Sequence, residues 1–446
     1  MSGRTVINYL SGRTIINYLS DRTVINYLSG RTVITNRSGW TLKSSVMSRK
    51  VISGIQQVGI GVSNVAEAWD WYKKYLGFGA KIVDDEGVAE KMLPYTGGKP
   101  QPRHAYLAIN LRGGGGLEIW QPKGRELNYL DYTPEFGDLG LFACKIKSKD
   151  VKAARESFVK EGLNVVSEIV RGPRGLEHFF MRDPYGNLLD IEQDDYCLFD
   201  QKKLTGGNNG VIIGVSDMEK SIKFYSSIVE YDHVEYDATD VFSDLAGLPG
   251  GEYKIRRVML SRSKPLEGPL SRVYGTSHIE LVQRVMEPAG VEAGVKVASE
   301  AGVEAGVKVA SEAGVEAGVE AGVKVASEAG VEAGRAPRKL YEGRLWGDPG
   351  FIHLCFDIRN MEEIRKSSEA LGHSFVCDGG RDFKMGAANG HFTYIEDPDG
   401  ALIEFVETFK IPVLKKLGIY LNLEKRDDTK SLPGIILQGF KFMESK

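Results

Sequence analysis

Two stretches of this chain place a carboxylate where chemistry could use it. DPDGALIEFVE occupies 397–407 and DPYGNLLDIEQ occupies 183–193, and in each an acid, Glu404 or Asp190, comes seven residues after the aspartate that opens the motif. Asp-Pro-x-Gly suits a tight turn: the aspartate accepts from the backbone, proline fixes the next φ, and glycine takes the left-handed position. The strand that follows alternates faces, so Glu404 shares its side with Leu402 and Val406. A carboxylate on an apolar face costs free energy unless something pairs with it. Beside a cation it is a hard ligand; in a dry pocket its pKa rises and it can move a proton.

The elements that must position such groups repeat four times. Each copy opens with a short apolar strand, passes to an amphipathic helix and returns through several strands. IQQVGIGVSNVAEAWDWYKKYLGF opens the first copy and sets Val65, Ala68, Trp69, Tyr72 and Leu76 on one helical face. GVIIGVSDMEKSIKFYSSIV opens the third, with Ser216 and Glu219 at capping-box spacing and Met218, Ile222, Tyr225 and Val229 as the stripe to be buried. LFACKIKSKDVKAARESFVKEGL and HLCFDIRNMEEIRKSSEALGH follow the same design, with Gly162 and Gly372 placed to end their helices.

Two tracts stand apart. Residues 1–37 repeat a nonamer, SGRTVINYL and variants, whose odd period puts successive copies on opposite faces of any continuous strand. The expectation for 1–46 is a disordered leader. Residues 291–334 repeat VEAGVKVASEAG between EPAG and RAPRKL, and excising them rejoins the linker without a scar. They read as an insertion in a loop, cheap because loop-closure entropy grows only logarithmically with length.

At 446 residues, with 42% hydrophobic and 26% charged residues, the chain has core material for two to three domains. A net charge of −3 with no basic block points away from nucleic-acid and anionic-membrane partners and toward a small molecule. Cys144, Cys197, Cys355 and Cys377 are widely spaced, which fits a reducing compartment and argues against thiolate metal sites. The absence of a long apolar run or a charged-then-apolar leader makes the cytoplasm the expected address.

The βαβββ module used four times resembles the vicinal oxygen chelate superfamily, which contains glyoxalase I, bleomycin-resistance proteins and extradiol dioxygenases. VGIGVSN…WYKKYLGF, VIIGVSDMEKSIKFY, DPYGNLLDIEQ and DPDGALIEFVE carry the resemblance, which spans roughly 51–423 without the insertion. It implies an α+β fold of four modules paired into two half-open mixed-sheet barrels. Pairing in chain order gives a first domain at 47–198, a second at 207–423 with its insertion at 291–334, and a tail at 424–446.

The resemblance further implies one divalent metal (Fe, Mn, Ni, Co or Zn) inside a cup, held by a residue of each opening strand and an acid on each closing strand. Carried over position by position, the first cup has Gln57, Leu141, Glu118 and Asp190, and the second has Gly210, His353, Glu280 and Glu404. Leu141 and Gly210 cannot ligate. The expected metal site is therefore Glu280, His353 and Glu404, with Glu404 or Glu280 as catalytic base and Gln57, Glu118 and Asp190 as a weaker second site. The reaction implied is isomerase or lyase chemistry, with a dioxygenase second and a metal-free binding protein third. A homodimer that completes a cup across its interface also belongs to the family's repertoire.

Overall fold

The computed structural model describes residues 4–10, 13–20, 23–28, 31–36, 41–43, 49–286, 335–386, 388–414 and 418–444. The repeats at 291–334 lie outside the described residues. The leader, 1–46, is described in part. Its described strands pair as a five-stranded antiparallel meander, Arg4–Leu10 with Arg13–Ser20, then Thr23–Leu28, Arg31–Asn36 and Thr41–Lys43. Each of the first four described strands falls within about one copy of the nonamer, so no single strand has to keep a face across copies.

The four modules follow. The first holds β1 (Val51–Gly61), α1 (Val65–Leu76), β2 (Ala80–Ala89), β3 (Gln101–Ile109) and β4 (Gly116–Pro122). The second holds β5 (Gly140–Ser148), α2 (Val151–Lys160), β6 (Glu177–Arg182) and β7 (Leu188–Gln193). In the third are β8 (Thr205–Gly214), α3 (Met218–Val229), β9 (His233–Asp240), β10 (Ile255–Ser261) and β11 (His278–Arg284). The fourth has β12 (Gly350–Arg359), α4 (Met361–Glu369), β13 (Ala388–Glu396) and β14 (Leu402–Leu414).

Helix α1 buries the five residues its periodicity names, and the Asn64 side chain caps it. In α3 the cap is Asp217, whose side chain accepts from the Lys220 amide, in place of the expected Ser216. Ser216 instead donates its backbone N–H to Asp399. Gly162 and Gly372 follow their helices at φ 71° and 85°, the left-handed conformation a helix end favours in glycine.

Sheet pairing departs from chain order. One sheet runs β13-β14-β12-β1-β4-β3-β2 and so joins the first module to the fourth; the other runs β6-β7-β5-β8-β11-β10-β9 and joins the second to the third. The expected partition into 47–198 and 207–423 therefore cuts through both cups. At each seam two opening strands meet antiparallel, β12 with β1 (His353 opposite Gly59) and β5 with β8 (Ala143 opposite Ile212). Strands β1 and β8 are buried along their whole length, as befits positions in the middle of a sheet.

One apolar cluster draws Ile60, Ile146, Ile213 and Phe356 from the four modules, so the sheets share a core. The paired DPxG turns clasp it. Tyr72 of α1 donates to Asp183 at 2.5 Å, and Tyr225 of α3 donates to Asp397 at 2.9 Å. The C-terminal segment adds β15 (Ile419–Asn422) to β14 and packs Leu432, Leu437 and Phe440 against Ile109, Leu270 and Ile411. Among the described residues no helix is long and apolar enough to cross a membrane.

Candidate metal centre and the two cups

The seam between the first and fourth modules gathers donors from four strands: Gln57 on β1, Glu118 on β4, His353 on β12 and Glu404 on β14. All four are buried. His353 Nε2 lies 3.1 Å from a carboxylate oxygen of Glu118 and 3.1 Å from one of Glu404. Gln57 Nε2 donates to those same two oxygens at 3.2 and 3.3 Å. The ligand atoms of Glu118, His353 and Glu404 lie within 4.8 Å of one another.

The hydrogen bonding of this group is incomplete in an informative way. Neither carboxylate approaches His353 along an N–H direction, and both ring nitrogens are buried without a hydrogen-bond partner, as is Gln57 Oε1. Burial alone would lower the imidazole pKa; the charges of Glu404 and Glu118 outweigh it and raise the value to about 9. The unaided chain thus keeps a protonated imidazole between two carboxylates. A divalent cation at that point would displace the proton and take over the charge balance.

Space for the ring comes from the opposing strand. A Cβ on Gly59 would fall 2.3 Å from His353 Cε1, so only glycine admits the imidazole there. Trp346 stacks on the ring at 6.5 Å between centroids, and Tyr394 meets it edge-on at 5.5 Å. Beside the donors opens a cavity of about 260 Å³, with Gln57, Glu118 and Glu404 in its wall.

The sequence-derived set of Glu280, His353 and Glu404 is divided between the two sheets. Glu280 lies on β11, in the cup of the second and third modules, where Arg257 reaches it at 2.6 Å and Lys145 at 2.9 Å. Arg257 and Lys145 hold the Glu280 carboxyl well below its ordinary range against the opposing effect of burial. Lys145 also lies 2.6 Å from Asp190. Asp190 is thus separated from Gln57 and Glu118, so the expected weaker site is divided as well.

In this second cup a fixed ammonium already stands between the two acids that correspond to Glu118 and Glu404. His178 pairs with Asp190 at 2.9 Å, and Arg257 pairs with Asp244 at 2.8 Å. The space left amounts to about 10 Å³, too little to hold even a water comfortably. The residue facing the seam where His353 stands in the other cup is Ala143, opposite Ile212, and not Leu141. At the Gln57 position Gly210 leaves no room for a side chain, since a Cβ there would meet His278 O at 2.0 Å.

Sequence reasoning named all four residues of the first cup's cluster but sorted them into different sites. A signal was available: joining the first module to the fourth collects the four donor-type positions on one side and leaves Leu141 and Gly210 together on the other. A lysine at 145 inside an apolar strand likewise marks a cup supplied with its own cation.

Residues 54–191 match the family model described as Glyoxalase/Bleomycin resistance protein/Dioxygenase superfamily. No curated protein matches the sequence. Solved structures that resemble it include glyoxalase I from Zea mays, at 14% identity over 80% of this chain and 93% of that one, TM-score 0.45. A putative dioxygenase from Bacillus subtilis subsp. subtilis str. 168 shares 11% identity over 81% and 86% of the two chains, TM-score 0.43. The Mn(II)-bound glyoxalase from Novosphingobium aromaticivorans shares 12% over 86% and 88%, TM-score 0.25. Over residues 54–191, about a third of its length, the chain is similar to the Glyoxalase/Bleomycin resistance protein/Dioxygenase superfamily.

Proposed function

We propose that the chain is a glyoxalase-type enzyme that takes a small substrate by two neighbouring oxygens at one divalent metal and catalyses isomerase or lyase chemistry beside a carbonyl. The observation that supports it is the convergence of Gln57, Glu118, His353 and Glu404 on one buried point. Two hard carboxylates, an imidazole with orphaned nitrogens and an amide with an orphaned oxygen suit Fe(II), Mn(II), Ni(II), Co(II) or Zn(II). Such a cation supplies Lewis-acid polarisation of the substrate's oxygens.

The chain's own residues do the rest. Trp346 and Tyr394 hold the His353 ring in place, and turning the Gln57 amide presents Oε1 to the point where Nε2 now donates. Glu404 and Glu118 flank that point, and whichever carboxylate is freed can take a proton from the carbon beside the carbonyl and return it to the neighbouring carbon. Glu118 replaces Glu280 in this role, because Glu280 is committed to Arg257 and Lys145. The single imidazole places extradiol oxygen chemistry, which in the family the resemblance names uses two histidines, behind this reading.

Metal analysis of the full-length protein after reconstitution tests it. The expected result is about one equivalent per chain, lowered at least about tenfold in affinity by His353→Ala and retained in Glu280→Gln. A protein that takes up none of the five ions is a metal-free binder instead.

A further inference from the structure

We infer that the ligand of this cavity carries an uncharged apolar body about the size of two fused aromatic rings, and that Phe440 of the C-terminal segment sets how long that body can be. The inference rests on the metal reading only for the oxygenated end of the ligand. The cavity measures about 260 Å³. An apolar cavity of roughly 150 Å³ holds one benzene, so this one has room for a second ring.

Its wall is built from two apolar clusters. Trp120, Trp346 and Phe392 belong to the aromatic group around His353, and Ile109, Leu270 and Phe440 belong to the group under the C-terminal segment. The donors lie with the first group, so the ligand's oxygens point there and its far end meets the second.

Charge limits the ligand further. Arg103 is held by the Asp85 carboxylate at 2.5 Å and by the Asp85 carbonyl at 2.6 Å; His391 is held by Asp378 at 2.6 Å. Lys91 is exposed. A ligand bearing several carboxylates, such as a peptide conjugate, would therefore meet, among the described wall residues, cations already paired with an acid (Arg103, His391) or lying in solvent (Lys91). Among the described residues of the wall, three donors lack partners: the indole N–H groups of Trp120 and Trp346 and Nε of Arg103. Buried donors are ordinarily paired, and acceptor oxygens on an otherwise apolar ligand would satisfy them.

The far wall is fixed in place. Phe440 is 5% exposed, and shortly after it Glu444 accepts from Gln201 at 2.8 Å, pairs with Lys203 and bridges to Ala80.

Calorimetric titration of the full-length protein, metal-free and Mn(II)-loaded, tests the inference with naphthalene, 2,3-dihydroxynaphthalene, 2-butylnaphthalene and glutathione. Naphthalene is expected to bind one per chain in both states, glutathione to show no saturable binding, and the butyl compound to bind at least about tenfold more weakly than naphthalene. Phe440→Ala is expected to reverse that last preference, and Phe440→Leu, which disturbs packing less, to narrow it. Absence of naphthalene binding to the metal-free protein, tighter binding of glutathione, or an unchanged order in both Phe440 variants overturns the inference. Should the diol gain nothing from metal while naphthalene still binds, the metal reading fails and the ligand class stands.

Discussion

At the scale of single residues, the centre depends on an exchange of volume across one seam. His353 and Gly59 face each other in the first cup; Ala143 and Ile212 face each other in the second. A ring needs a glycine opposite it, and a small residue can accept a branched one. Gly59→Ala is therefore expected to turn the imidazole away from Glu118 and Glu404 while leaving every donor in the chain. The measurement is metal content beside circular dichroism: metal affinity should fall at least about tenfold with secondary structure retained, at an overpacking cost of about 1–3 kcal/mol. Unchanged metal binding would mean that His353 is not a ligand. Glu404 on the apolar face was legible from alternation alone, because the period of a strand is a local property. That Gly59 exists to admit His353 was not, since the two lie far apart in sequence.

At the scale of elements, one cup gathers donors able to hold an external cation and the other is filled by side chains. Lys145 and Arg257 in mid-sheet positions answer Asp190 and Glu280, and His178 joins them. Burial acts to lower the His178 pKa, but Asp190 outweighs it and the value rises from 6.5 to about 9. A raised histidine pKa contributes stability that is fully present below about pH 6.5 and is lost as pH rises through about 9. By linkage the contribution is on the order of 3 kcal/mol. Denaturant midpoints of the metal-free protein measured from pH 6 to 10 should decline across this window, and His178→Gln should lessen the decline, His353 supplying the rest. An equal slope in that variant would place the titration elsewhere. Helix faces, helix-ending glycines and the two DPxG turns were readable beforehand because they rest on spacings of a few residues. The cap of α3 was misplaced by one position, a slip that leaves its buried face almost intact.

At the scale of the whole molecule, the centre is assembled from the two ends of the folded region, with β1 and β4 near its start and β12 and β14 near its finish. Residues 49–198 expressed apart from 199–446 would expose β1 on one half and β12 on the other as unpaired edges. Neither half is expected to bind metal or stay monomeric, and co-expression is expected to restore about one metal per pair. A half that binds metal alone would contradict the strand pairing. On either side of the insertion the described chain meets at one place, where Arg284 donates to the Arg335 carbonyl at 2.5 Å. Deleting 291–334 should leave stability within about 1 kcal/mol of the parent by thermal melting.

The sequence by itself determined the module, its helix faces, its turns and the residue types able to hold a cation, because each follows from neighbours a few positions apart. Only the tertiary structure decided which modules share a sheet, and with that which donors meet: Gln57 and Glu118 with His353 and Glu404, Asp190 and Glu280 with Lys145. Four copies of one pattern present nearly equivalent edges, so chain order cannot choose among them. The choice falls to side-chain volume and charge at the seams, where a ring requires an opposing glycine and a buried acid requires a cation.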